Sequence, residues 1–111
     1  MLARSGKAKG KLLEKLIVAK IKEVFSFDEE DIRCTIGQER GHDIKLSRRA
    51  RVKFPYAIEA KNRENFTGIY TAYAQAEQNA ENLIPLLVIK SNRQKPLVIL
   101  DFDYFLTLVS K

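Results

Sequence analysis

The chain has one cysteine, Cys34, so it can form neither an internal disulfide nor a cysteine-based zinc site by itself. Ile32, Arg33, Thr35 and Ile36 alternate around it, which reads as a strand with Cys34 as a packing residue. No apolar run reaches the length that spans a bilayer, which excludes a membrane-inserted helix. A signal-peptide core is missing too, because the basic stretch Met1 to Lys11 leads into an apolar pattern broken by Glu14, Lys15, Lys20 and Lys22. An intracellular, cytoplasmic location is the expectation. Repeats, low-complexity tracts and linkers are also lacking. At 111 residues the chain is too short for two cores, so a single domain over residues 1–111 is expected.

What is abundant is positive charge. Twenty Lys and Arg against 14 Asp and Glu leave +6, a balance that favours a polyanionic partner. The basic residues cluster: Arg4, Lys7, Lys9 and Lys11; then Arg48, Arg49, Arg51 and Lys53; then Lys90, Arg93 and Lys95. With Arg63, these are candidate contacts to a DNA phosphate backbone, although any one cluster reads equally well as a solvated face.

The apolar pattern divides the chain into elements. From Lys7 to Phe25, Leu13, Ile17, Val18, Ile21, Val24 and Phe25 fall on one helical arc. Ile32–Ile36, Asp43–Leu46 and Tyr56–Ala60 read as strands, the last two forming a hairpin across the long basic connection Ser47 to Pro55. Gly68–Leu83 reads as a second helix. Pro85–Ile89 and Leu97–Leu100 are nearly all apolar, as strands at the centre of a sheet are. Asp101–Val109 closes the chain as a short helix with an acidic start. The order αβββαββα predicts an α/β fold with a central, mixed five-stranded sheet flanked by helices.

Chemistry concentrates at Asp43, which opens one strand, and at Glu59-Ala60-Lys61, which ends the next. Residues two apart on a strand share a face, so Glu59 and Lys61 point the same way, and a hairpin would bring Asp43 beside Glu59. Two converging carboxylates repel unless a cation lies between them, and Mg²⁺ or Mn²⁺ with oxygen ligands is the usual solution. Such an ion activates water and stabilises charge on a phosphate, with Lys61 orienting the water or offsetting that charge.

Gly41-His42-Asp43-Ile44 followed by Tyr56-Ala57-Ile58-Glu59-Ala60-Lys61-Asn62 resembles the signature of the PD-(D/E)XK, restriction-endonuclease-like nucleases. The whole chain is similar to the small Holliday-junction-resolvase-like nucleases of archaea and phages. That resemblance implies a restriction-endonuclease-like core and metal-dependent hydrolysis of branched DNA. It also implies a metal held by Asp43, Glu59 and the Ala60 carbonyl, Lys61 as the catalytic lysine, and a homodimer located in the host cytoplasm if a phage encodes it. His42 stands where the family often has proline.

An extra glutamate on the first helix of those nucleases corresponds to Glu14. Its helical position agrees, since Glu14 falls within the arc of Ile17, Val18, Ile21 and Phe25, where a carboxylate needs Lys61, a metal-bound water, or an edge pairing with Lys11 or Lys15. Nucleases of the RecB and VRR-NUC kinds carry a glutamine on the following helix, which selects Gln75, with Gln78 as its near neighbour. Leu12, Leu16 and Ala19 form a second stripe that could line a dimer or pack under the last helix. The alternatives to a resolvase are a nuclease acting on linear or single-stranded DNA, a DNA-binding module without turnover, and a protein whose basic surface meets an acidic partner.

Overall fold

The computed structural model describes residues 6–36, 41 and 43–111; Arg4, Gly37, His42 and the side chain of Lys7 lie outside the described residues. The order is α1 (Gly6–Phe25), β1 (Ile32–Cys34), β2 (Ile44–Leu46), α2 (Arg48–Lys53), β3 (Tyr56–Asn62), α3 (Ile69–Gln78), β4 (Ile84–Lys90), β5 (Leu97–Ile99) and α4 (Phe102–Val109).

Leu13, Ile17, Ile21 and Phe25 carry α1 onto the core. Each step of four residues turns the buried line by about 40°, so by the last turn Val24 has rotated away and is 75% exposed, outside the arc expected for it. Ser26 ends the helix in the left-handed region (φ 58°), and the Phe27 N–H donates to the Lys22 carbonyl at 3.1 Å, the wide bond of a Schellman ending. Leu12 and Ala19 are exposed while Leu16 packs against the core, so the second stripe does not form one continuous face.

The five expected strands are present, but they form two sheets rather than one. β1 and β2 pair antiparallel, with Cys34 opposite Ile44, and β4 lies between β3, parallel to it, and β5, antiparallel. The expected direct hairpin of Asp43–Leu46 with Tyr56–Ala60 is replaced by a connection containing α2. Ser47 accepts from the Ala50 N–H at 3.0 Å as N-cap, and Ala50 is fully buried, so the basic run coils into a helix and carries the chain away from β2. Just before β2, the Asp43 N–H donates to the Ile58 carbonyl of β3 at 3.0 Å.

Residues Leu97–Leu100 are not at the sheet's centre. β5 is an edge strand with Leu97 and Val98 about half exposed, whereas Leu87 of β4 is fully buried. A short apolar run has the same composition in a buried strand and in an uncovered edge. Among the described residues, no helix is long and apolar enough to cross a membrane.

Candidate active site

β3 separates two environments. Ile58 and Ala60 belong to the same buried cluster as Leu13 and Ile17 of α1. Glu59 and Lys61, in the alternate register, point to the other face, toward α3. Asp43 sits at the strand's edge between these faces, and its Oδ2 accepts from the Ala60 N–H at 2.7 Å. The carboxylate is thus fixed to the backbone between Glu59 and Lys61.

Glu59 is 3% exposed, and its Oε1 lies 3.6 Å from the Lys61 ammonium. Burial raises its pKa, and the neighbouring charge of Asp43 raises it further; Lys61 and a hydrogen bond from Asn79 pull in the opposite direction. The other oxygen, Oε2, is buried without a hydrogen-bond partner among the described residues. A buried, unsatisfied carboxylate oxygen beside a second carboxylate is what a cation would relieve.

Glu14 approaches from the α1 side. Its side chain is mostly covered, and its Oε1 meets the Lys11 ammonium at 3.3 Å, while that ammonium also donates to the Thr35 carbonyl at 2.9 Å. Burial raises the Glu14 pKa, and the charge of Asp43 raises it further. Glu14 is therefore coupled to Asp43, and the lysine it pairs with is Lys11 rather than Lys61. Asp43 is the hinge of the constellation, feeling Glu14 from one face of β3 and Glu59 from the other.

No group of three His, Cys, Asp or Glu side chains among the described residues is close enough to hold a metal ion by itself. The donor set still fits a hard ion such as Mg²⁺, which takes one or two carboxylates and completes its shell with water: Asp43 and Glu59 flank the Ala60 backbone, and Glu59 Oε2 lacks a partner.

The chain gives no match to any family model, curated protein or solved structure with which it was compared. Function must therefore be argued from the site.

Gln75 and Gln78 are both exposed on α3, whose buried face is Ala72 and Ala76. The residue of this region that reaches Glu59 is Asn79, which follows α3. Asn62, just past Lys61, donates from Nδ2 to the Lys9 carbonyl at 3.2 Å and keeps a buried Oδ1 without a hydrogen-bond partner among the described residues. Sequence reasoning passed over both asparagines; the available signal was their place at the ends of the two elements that build the site, Asn62 closing β3 and Asn79 capping α3.

The structure rearranges the basic clusters. Arg49 is tied to the buried Asp31 at 2.6 Å, and Arg51 donates to the Leu46 carbonyl, so half of the second cluster holds α2 in place while Arg48 and Lys53 are exposed. Lys11 is engaged by Glu14 and Thr35. By contrast, Lys9 donates to Asn92 Oδ1 at 3.0 Å, and the Arg63 N–H donates to the Lys90 carbonyl, which joins the first and third clusters beyond the end of β3. A pocket of about 160 Å³ lined by Ile89, Lys90, Ser91, Gln94, Lys95 and Leu97 lies on that side, next to the turn that carries Arg93.

Proposed function

We propose that the chain is a divalent-metal-dependent DNA endonuclease of the PD-(D/E)XK, restriction-endonuclease-like kind. A branched, Holliday-type junction is the preferred substrate by resemblance. The observation that carries the reading is the Asp43 carboxylate bound to the Ala60 N–H, between buried Glu59 and Lys61. It supports the reading because Asp43, distant in sequence, reaches the backbone between Glu59 and Lys61.

Asp43, Glu59 and the Ala60 carbonyl would hold Mg²⁺ or Mn²⁺, with Glu14 contributing through water from the α1 side. When bound, the ion supplies Lewis-acid polarisation of the phosphate and a lowered pKa for the attacking water. Lys61, anchored against Glu59, orients that water and offsets charge growing on the phosphate oxygens. Asn79 is within reach of the Glu59 carboxylate, and Gln75, exposed on α3, would hold the metal-bound water by resemblance alone. Hydrolysis forms one bond from water oxygen to phosphorus and breaks one phosphorus–oxygen ester bond, the leaving oxygen taking up a proton. Lys9, Arg63 and Arg93 would follow the DNA backbone past the end of β3.

The test is cleavage of a labelled four-way junction and a matched linear duplex with Mg²⁺, Mn²⁺ or EDTA. Wild type is expected to place paired nicks in the junction, and Asp43→Asn and Lys61→Met are expected to lose at least ~100-fold in rate while still binding DNA. Equal cutting of both substrates would make it a general nuclease. Binding without cutting under any metal would make it a DNA-binding module and sink the catalytic assignment.

A further inference from the structure

The registers of β3, β4 and β5 set Lys61, Ile89 and Leu97 in one row across the sheet. Residues paired directly across a sheet share a face, so Ile89 and Leu97 lie on the same side as Glu59 and Lys61, roughly 5 and 10 Å from Lys61 by strand spacing. On that side α3 packs over β3 and β4, whereas Leu97 of β5 stays 52% exposed. The pocket of about 160 Å³ occupies this uncovered place. Ile89 and Leu97 form its apolar wall, and Ser91 and Gln94 of the turn between β4 and β5 supply a hydroxyl and an amide. Lys90 and Lys95 complete the lining, Lys90 donating to the Ser91 carbonyl at 3.3 Å and Lys95 standing exposed. None of the six lining residues is acidic.

We infer that this pocket receives one unpaired nucleobase of the DNA strand whose phosphate lies at Lys61, and that its capture selects branch points over continuous duplex. The position of that phosphate rests on the nuclease reading. At about 160 Å³ the pocket is well below the ~300 Å³ at which sites for drug-sized ligands begin, so it admits a single base and excludes a base pair. An aliphatic wall meets the apolar faces of a base, a hydroxyl and an amide meet its hydrogen-bonding rim, and lysines meet the phosphates beside it. The spacing agrees as well, since the wall lies one to two strands from Lys61, within the reach of a single nucleotide from its phosphate to its base. Drawing a base out of an intact stack costs free energy that an unpaired base does not. Nucleotides at the branch of a junction or the root of a flap are the ones free to enter; a continuous duplex offers none.

Fluorescence anisotropy of the full chain in EDTA tests binding apart from cleavage. Two splayed-arm duplexes of equal length and charge are compared, one with bases throughout its single-stranded arms and one with abasic sites in their place. Wild type is expected to bind the base-bearing arms about 10-fold more tightly, the order that one bound base contributes. Leu97→Glu puts a charge into the apolar wall and is expected to bring the two affinities within about 2-fold of each other; Gln94→Ala is expected to lower the preference about 3-fold. Both residues are exposed, so circular dichroism should match wild type, and if Leu97→Glu loses its strand signal, Gln94→Ala carries the test. Tyr70, 92% exposed at the start of α3, is the competing surface on which a base could stack, and Tyr70→Ser is expected to keep the preference. Equal binding of both duplexes by wild type would overturn the inference, as would a preference that survives in both pocket variants or depends on Tyr70 instead. Cutting with Mg²⁺ or Mn²⁺ judges the nuclease reading separately. A wild type that cuts branched DNA yet ignores the bases sinks this inference alone, and one that prefers the bases but never cuts sinks only the nuclease.

Discussion

The Glu59 carboxyl lies in a buried site beside Asp43, and both burial and that neighbour raise its pKa. A carboxylate that holds its proton more tightly when folded than when unfolded weakens the fold wherever it is ionised, and the penalty is complete at pH above the folded value. Metal-free Glu59→Gln is therefore expected to melt roughly 2–6 °C above wild type at pH 7. The advantage should vanish below about pH 4, where folded and unfolded chains are both protonated. Differential scanning calorimetry in EDTA across that range checks it, and a lower melting point at pH 7 would show that the Lys61 contact outweighs burial. Loss of cleavage in the same variant would then mark a residue retained at a cost to stability.

At the scale of elements, Asp31 joins three segments. Its carboxylate accepts from the Ser47 hydroxyl at 2.8 Å, from Arg49 at 2.6 Å and from the Asp28 N–H at 3.2 Å, tying the start of β1 to the cap and first turn of α2. Arg49 and the Ser47 hydroxyl hold its pKa down at about 2. Here the sign is reversed: the contribution is complete above the unfolded value of about 3.9 and is lost as pH falls through about 2. Asp31→Asn is expected to melt below wild type at pH 7 and to converge with it near pH 2, as read from thermal melts followed by circular dichroism. The same contacts explain why α2 was not visible as a helix in the sequence. The run Arg48 to Lys53 reads as a charged connection by composition, and its helical state depends on the Ser47 cap and on Ala50 fitting a fully buried site.

At the scale of the molecule, the end of β3 that carries Lys61 lies about 20 Å along the strand from Tyr56, where α2 delivers the chain. Phosphate contacts at the first end should therefore matter more to DNA binding than those on α2. Arg93→Ala with Lys95→Ala is expected to reduce the slope of log affinity against log salt by about 2, close to one counterion per side chain, whereas Arg48→Ala with Lys53→Ala leaves it nearly unchanged. Fluorescence anisotropy over a salt series reads both. The opposite ranking would place the DNA over α2.

The sequence alone determined what depends on local pattern. The arc of Leu13, Ile17, Ile21 and Phe25 specifies α1, the alternation and apolar runs specify five strands, and the spacing of Glu59 and Lys61 puts both on one face of β3. Asp43 was legible as their partner because it opens a strand, but the bond from the Ala60 N–H that holds it there was not. Only the tertiary structure decided features that arise between elements: the division into two sheets, the bond from Lys11 of α1 to the Thr35 carbonyl, the reach of Asn79 to Glu59, and the position of β5 at the sheet's edge. Periodicity reports which side of an element is apolar; what covers that side depends on chain segments distant in sequence, and the described residues leave most of the apolar side of α4 open.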